Sequence, residues 1–142
     1  MELERFVSAQ ECDYDIALSE IRKGRKRSHW MWYIFPQIQG LGYSSTAQYY
    51  AIQDGKEAVE YLKHPTLGLR LIEISEALLN LKETNATKVM GYPDDLKLKS
   101  SMTLFYKVSK NDIFKKVLDK YFEGKLNEKT LETLKELEDK DS

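Results

Sequence analysis

The sequence predicts an all-α protein, a compact single-domain multi-helix fold that resembles a bundle and lacks significant β-sheet. Apolar residues recur at intervals of three and four along most of the chain, which is the spacing of one face of an α-helix. Only three prolines and seven glycines interrupt the 142 residues, and no two strand-like segments flank a tight turn. One helical domain over residues 1–142 fits this length, because a domain of this size buries roughly 68–70% of its extended-chain surface.

The N-terminal half is predicted to contain one well-marked helix and several short ones. The well-marked helix ends at Gly24, and its apolar positions at i, i+3, i+4 and i+7 are Tyr14, Ala17, Leu18 and Ile21. Residues 30–35 are β-prone in composition, but Pro36 and the glycines that follow leave no partner strand. We therefore predict a short helix that Pro36 terminates. Further short helices are predicted over residues 3–10, 45–53 and 55–63.

The C-terminal half is predicted to consist of four amphipathic helices. Pro65 suits the first turn of the first helix, and Asp94 and Asp95 suit the start or N-cap of the second. Gly124 ends the third helix, and Asn127 caps the fourth. The inward-facing residues are, helix by helix, Leu67, Leu71, Ile74, Leu78 and Leu81; Leu98, Met102, Phe105 and Val108; Ile113, Val117 and Tyr121; and Leu131, Leu134 and Leu137.

Composition indicates a cytoplasmic protein. Cys12 is the only cysteine, so no internal disulfide can form, which fits a reducing compartment. Two histidines and one cysteine, far apart, give no metal-ligand spacing, and we predict neither a metal nor a cofactor. The N-terminus is too acidic for a signal peptide, and the uncharged run over residues 28–53 contains too many polar residues for a membrane span. The oligomeric state has no signature in the sequence.

The most informative segment joins a cationic block to an aromatic one. Arg25, Lys26 and Arg27 are followed by Ser-His-Trp-Met-Trp-Tyr-Ile-Phe, and no acidic residue lies between positions 21 and 53. Cations attract anionic groups and flat rings offer stacking area, so the segment suits a ligand with a phosphate and a ring. The structural interpretation is equally open: the aromatic residues form core, and the cations form a solvated surface. If residues 25–35 are helical, Arg25 shares a ridge with His29 and Tyr33.

Several segments resemble the domain-of-unknown-function 1810 family, over about residues 5–134. The segments are Phe6 to Gln10, Gly24 to Gln37, Gly40 to Ser44, Glu57 to Leu71, and Asp95 to Phe105. The resemblance implies a compact, mostly helical bacterial protein, and it implies no established activity.

A second similarity concerns residues 45–53, which are similar to the Glu-His-aromatic-aromatic-x-x-Gln element of the NADAR proteins. That similarity implies chemistry on ADP-ribose or riboflavin-pathway compounds by an N-glycosidase. Ala47 and Gln48 stand where the Glu-His pair is expected, so hydrolysis would need another acid. Asp54 and Asp95 are the nearest acids by motif, and His29 is the residue of the aromatic segment able to exchange a proton near neutral pH.

These patterns lead to three hypotheses about function. The first is binding or hydrolysis of a nucleotide-like small molecule, such as an ADP-ribose adduct. The second is a non-enzymatic protein-interaction module, and the third is a nucleic-acid-binding module, which a net charge of −1 disfavours. The predicted catalytic residues are His29, Asp54 and Asp95, and the predicted ligand-binding residues are Arg25, Lys26, Arg27, Trp30, Trp32, Gln37, Tyr49, Tyr50 and Lys97.

Overall fold

The computed structural model describes residues 3–141, and these residues fold into α-helices joined by loops. The helices are α1 (Glu4–Arg22), α2 (Met31–Ile34), α3 (Ser45–Tyr49), α4 (Gly55–Lys63), α5 (Leu67–Leu79), α6 (Ala86–Met90), α7 (Asp94–Ser109), α8 (Asp112–Phe122) and α9 (Glu128–Asp141). Among the described residues the only extended pairing is an isolated parallel bridge between Ile38 and Ile52. The predicted all-α fold is confirmed.

Helix α7 is the central element, and it packs against α4, α6, α8 and α9. Leu98, Met102 and Phe105 of its predicted stripe are fully buried. Because neighbours cover α7 on several sides, several of its polar side chains are buried as well, including Thr103. The Thr103 hydroxyl accepts a hydrogen bond from the Asn127 N–H at 2.9 Å, which attaches the start of α9 to the core.

Most predicted helix ends are confirmed, and their local causes are visible. Helix α4 has the predicted bounds. Helix α8 ends just before Gly124, which has φ +75°, a conformation that glycine adopts without steric cost. The Asn127 side chain accepts the Thr130 N–H at 2.9 Å, as predicted for the cap of α9. Before α5, the His64 imidazole accepts the N–H groups of Thr66 and Leu67.

Several expectations about local structure are wrong or incomplete. Pro65 precedes Thr66, the N-cap of α5, and so is not in the first turn, and Leu81 lies beyond the end of that helix. The two N-terminal segments form one helix, α1, because no glycine or proline separates them. The helix predicted over residues 45–53 stops at Tyr49, since the chain beyond it bonds in extended form to residues 37–39. Helix α6 was not predicted. The N-cap of α7 is Pro93, so Asp94 and Asp95 lie in the first turn. Their negative charges interact favourably with the helix dipole there, but their side chains do not cap the helix.

Helix α1 holds the short helix α2 in place. The Gln10 carboxamide, 1% exposed, donates to the Tyr33 carbonyl at 2.7 Å and to the Tyr61 hydroxyl at 3.0 Å. The Tyr33 hydroxyl in turn donates to Asp13. Burial, followed by this bond and the charge of Asp13, raises the pKa of Tyr33. Two long-range bonds therefore set the orientation of a helix that is too short to be stable alone.

Within residues 3–141, no helix combines the length and the apolar character that crossing a bilayer requires.

Candidate functional site

The cationic-aromatic segment does not form one continuous helix. Residues 25–30 are a loop, and only residues 31–34 are helical. The predicted alignment of Arg25, His29 and Tyr33 along one face of a helix is therefore wrong. The physical cause is Glu20 of α1, whose carboxylate accepts the N–H groups of Arg27 (2.8 Å) and Ser28 (2.9 Å). These bonds hold the backbone away from the helical hydrogen-bonding pattern.

Glu20 also accepts hydrogen bonds from the Ser28 hydroxyl at 2.5 Å and the Trp30 indole N–H at 2.9 Å. Partial burial acts to raise the pKa of Glu20, but the bonds from Ser28, Arg27 and Trp30 outweigh it and lower the pKa to about 2. Glu20 lies just before the acid-free region, and it is the residue that organises the loop. Sequence reasoning missed it because it precedes its partners by seven to ten positions.

The aromatic half of the segment divides between core and surface. Trp30 is 1% exposed and packs beside Phe35, with ring centroids 6.2 Å apart. Met31 and Ile34 are buried with it. Trp32 is only half-buried and lies at the edge of a cleft. The core interpretation therefore describes Trp30, whereas Trp32 has ring surface available to a ligand.

The cleft has a volume of about 420 Å³, and predominantly aromatic and carboxamide side chains surround it. It is the candidate site, and we call it the amide-aromatic cleft. Its lining brings together three of the predicted ligand-binding residues, Trp32, Gln37 and Tyr50. The full lining is Trp32, Gln37, Ile38, Gln39, Gly40, Gly42, Tyr43, Ala47, Gln48, Tyr50, Ala51 and Gln53. None of these side chains carries a charge.

The carboxamides of the cleft differ in the bonds they already make. Gln48 donates to the Tyr43 carbonyl at 2.9 Å, and Gln53 donates to the Ala51 carbonyl at 3.0 Å. No hydrogen bond to the carboxamide oxygen of Gln48 or Gln53 is present among residues 3–141, so both can still accept. In the part of the chain that the structure describes, the half-buried Gln37 carboxamide makes no hydrogen bond, so both its donor and acceptor groups are available.

A buried ion pair, Arg5–Glu57, holds residues 49–53, which we call the outer wall of the cleft. The Arg5 guanidinium donates to the carbonyls of Tyr49 and Ala51, each at 2.9 Å, and to the Glu57 carboxylate at 2.9 Å. The same carboxylate accepts the Gln53 N–H at 3.1 Å. Both charged side chains are over 90% buried. The wall is thus attached to α1 and α4 by charge-assisted bonds, which the sequence did not reveal.

Tyr50 is the aromatic residue that joins the cleft to the core. Its ring lies 5.1 Å from that of Tyr33 and 4.8 Å from that of Tyr49, centroid to centroid. Burial, and then the neighbouring Tyr49, raises the pKa of Tyr50, so it stays a neutral hydrogen-bonding group at physiological pH. Tyr49 itself is 61% exposed and lies outside the cleft lining.

Lys97 lies at the Trp32 edge of the cleft. Its ammonium is 5.3 Å from the centroid of the Trp32 ring and 3.4 Å from the Asp94 carboxylate. Asp94 also pairs with Lys26 at 2.8 Å, and the Lys26 ammonium lies 4.9 Å from the Trp30 ring. The structure therefore links four predicted binding residues, two lysines and two tryptophans, through one aspartate that sequence reasoning assigned only to the helix start.

The other predicted site residues do not line this cleft. Arg25, Arg27 and His29 are exposed on the loop that Glu20 holds. Asp54 caps α4 by accepting the Glu57 N–H at 2.8 Å, and Asp95 accepts the Thr87 hydroxyl at 2.5 Å. Among residues 3–141 no three His, Cys, Asp or Glu side chains converge to hold a metal ion.

Several cleft residues escaped prediction, namely Tyr43, Gln48 and Gln53. The available signal was the long uncharged run of residues 28–53, which is rich in glutamine and tyrosine. Its carboxamides converge because the Ile38–Ile52 bridge brings the two ends of the loop together.

Comparisons with known proteins agree on the fold. The model of the family described as "Protein of unknown function (DUF1810)" matches residues 1–134. The crystal structure of the conserved hypothetical protein Rv1873 from Mycobacterium tuberculosis is similar to this chain, with 43% identity and a TM-score of 0.93. The similarity covers 94% of this chain and 96% of that one. No match was found among curated proteins. The chain therefore belongs to the DUF1810 family, whose function is unknown.

Proposed function

We propose that this protein binds a nucleotide-like small molecule, with the ring system in the amide-aromatic cleft and an anionic group beside Lys97. The observation that carries the proposal is the uncharged lining of the cleft, in which tyrosine, tryptophan and glutamine side chains meet, with a lysine at the Trp32 edge. Concave sites of this size with a few convergent polar groups are typical of small-molecule binding.

Because the lining is uncharged, the cleft suits an uncharged part of the ligand better than a phosphate. A phosphate inside the cleft would lose hydration without gaining a cation, which is costly. A nucleobase or a ribose presents uncharged donors and acceptors together with a flat or apolar face. Carboxamides such as Gln37 match those groups with one donor and one acceptor on the same side chain.

The phosphate of such a ligand fits the edge of the cleft. The Lys97 side chain is 29% exposed, so its ammonium can contact a bound group from the solvent side. Asp94 offsets part of the Lys97 charge, but Lys26 pairs with the same carboxylate. Two lysines against one aspartate leave a net positive charge at this edge.

The proposal is limited to binding, because no carboxylate lines the cleft. Hydrolysis of an ADP-ribose adduct needs an acid near the bond that breaks. Glu57 is paired with Arg5, and Asp54 caps α4, so both nearby acids have structural roles. The catalytic assignment of His29, Asp54 and Asp95, and the similarity to NADAR proteins, stay predictions.

Calorimetric titrations with adenosine, AMP and ADP-ribose test the proposal. We expect saturable binding that becomes weaker in Trp32→Ala by roughly fivefold to 150-fold, since stacking of a base on an aromatic ring contributes about 1–3 kcal/mol. Tyr92→Ala serves as the aromatic control, because Tyr92 is 77% exposed and lies outside the lining. Lys97→Met should weaken AMP and leave adenosine unchanged. Absent binding at millimolar concentration, or equal affinities in wild type and Trp32→Ala, would contradict the proposal.

A further inference from the structure

A second pocket, between the loop that follows α1 and the short helix α6, concentrates positive charge. It has a volume of about 440 Å³ and is lined by Arg25, Lys26, Thr87, Lys88, Val89 and Gly91. Three of these six residues are cationic and none is acidic. None of them lines the amide-aromatic cleft. We call it the basic pocket.

Backbone bonds hold the two sides of the basic pocket together. The Lys26 N–H donates to the Val89 carbonyl at 2.7 Å, which joins the loop to α6. The Gly91 N–H donates to the Thr87 carbonyl at 2.8 Å and closes the end of α6. Gly91 has φ +79°, and a Cβ built there would meet nothing within 4 Å. The cations are therefore carried by segments with a defined relative position, and the space beside Gly91 is open.

The acids near the pocket are already engaged. Lys26, with 7% of its side chain exposed, is bonded to Asp94 at 2.8 Å and to the Ser28 carbonyl at 2.5 Å. Asp95 accepts the Thr87 hydroxyl. Within residues 3–141 neither Arg25 nor Lys88 forms an ion pair.

The local charge balance is positive. The lining carries three positive charges, and the Asp94 carboxylate offsets that of Lys26. The charges of Arg25 and Lys88 therefore leave the lining positive, before screening by salt. A local excess of this sign raises the concentration of anions at the pocket.

We propose that the basic pocket is an anion site for the phosphate or pyrophosphate group of a small molecule. The Arg25 guanidinium supplies paired N–H donors that match two phosphate oxygens, and the Lys88 ammonium supplies a mobile point charge. Lys26, paired with Asp94, fixes the position of the loop that carries Arg25. The site goes beyond the function proposed for the amide-aromatic cleft, because the two share no lining residue.

Titration of the full chain with inorganic pyrophosphate, followed by calorimetry at two salt concentrations, tests this site. We expect saturable binding that weakens at least about tenfold in Arg25→Gln and in Lys88→Ala, in line with the loss of one charge-assisted contact of about 1.5–3 kcal/mol. Lys116→Ala is the matched control, because it removes one exposed positive charge from α8, outside the pocket. That variant should bind pyrophosphate as the wild type does.

Three results would overturn the proposal. No saturable binding of pyrophosphate would show that the pocket does not hold anions. An equal loss in Lys116→Ala would mean that overall charge alone determines binding. Binding of short oligonucleotides through Arg25 and Lys88, with none of pyrophosphate, would assign the surface to nucleic acid. Adenosine titration separates this site from the cleft, because adenosine affinity should depend on Trp32 and not on Lys88.

Discussion

The Lys26 ammonium lies 2.8 Å from the Asp94 carboxylate, and only 7% of the lysine side chain is exposed. This ion pair joins the loop after α1 to the first turn of α7. It also separates the two candidate sites, because Lys26 lines the basic pocket while Lys97, on the other side of Asp94, lies beside Trp32. One carboxylate therefore supports both surfaces.

Removing the Asp94 carboxylate should destabilise the protein by more than the loss of a favourable contact with the helix dipole would. We expect Asp94→Ala to lower the free energy of unfolding by about 1–3 kcal/mol, because it leaves a mostly buried ammonium without its charged partner. Asp112→Ala is the control, since Asp112 is an exposed acid in the first turn of α8. A dipole contact of that kind contributes about 0.3–1 kcal/mol. Equal losses in urea denaturation of both variants would argue against a structural role for the Lys26–Asp94 pair.

The stability of the loop after α1 should depend on pH through Glu20. Its pKa is about 2 in the folded protein and about 4.5 in an unperturbed carboxyl, so the ionised form is favoured by folding. The resulting stabilisation is complete above about pH 4.5 and is lost as the pH falls towards about 2. Glu20→Gln should be less stable at neutral pH by about 1 kcal/mol, a value reduced by solvent screening.

Measuring unfolding free energies of wild type and Glu20→Gln from pH 7 to pH 2 isolates this effect. The difference between the two proteins should shrink as the pH falls, because protonation removes the charge that only the wild type has. A difference that stays constant over this range would show that the Glu20 bonds do not depend on its charge.

The Arg5–Glu57 pair should hold the outer wall of the amide-aromatic cleft. Breaking a buried ion pair by removing one partner costs about 3–5 kcal/mol, and we expect that loss in Glu57→Ala. Hydrogen exchange at the Gln53 amide should accelerate, because that N–H loses its acceptor. Glu60→Ala, which removes an exposed acid from the same helix, should change neither quantity. Unchanged protection at Gln53 in Glu57→Ala would refute this role.

Two glycines should respond to the same substitution in opposite ways. A Cβ at Gly68 would lie 2.0 Å from the Leu62 carbonyl oxygen, a backbone atom that cannot move aside cheaply. A Cβ at Gly55 would make ordinary contacts of 3.7 and 3.8 Å with Val108 and Leu134. We expect Gly68→Ala to lose about 1–3 kcal/mol or more, and Gly55→Ala to gain about 0.4–1 kcal/mol. Thermal unfolding of both variants measures these changes. A Gly68→Ala variant as stable as the wild type would show that α4 and α5 can move apart.

The helices of the C-terminal half could be predicted because their causes are local. The stripe of Leu67, Leu71 and Ile74 lies on one face of α5, and Gly124 and Asn127 mark the ends of neighbouring helices. Helix α6 was harder to predict. With five residues it is too short for a periodic pattern, and the Asn85 cap holds its first turn.

The candidate site was predicted only in outline. The segment of residues 25–37 does contain Trp32 and Gln37, which line the cleft, but the cations and the buried Trp30 of that segment lie elsewhere. The sequence pattern predicted a single ligand site for these residues, which are neighbours in the chain but lie at different places in the folded protein. The carboxamides that complete the cleft, Gln39, Gln48 and Gln53, come from loops and from the short helix α3. Their only mark in the sequence is the uncharged, glutamine-rich run, which has no periodicity.

The fold class, most of the helices and the position of the cationic-aromatic segment could be predicted from the sequence, because hydrophobic periodicity and capping act between residues close in the chain. The partial exposure of Trp32, the bonds of the cationic loop to Glu20, and the pairing of Lys26 and Lys97 with the same Asp94 arise only in the folded protein. These features depend on packing between helices far apart in sequence. Exposure and ion pairing are therefore properties of the folded molecule, and they separate the amide-aromatic cleft from the basic pocket.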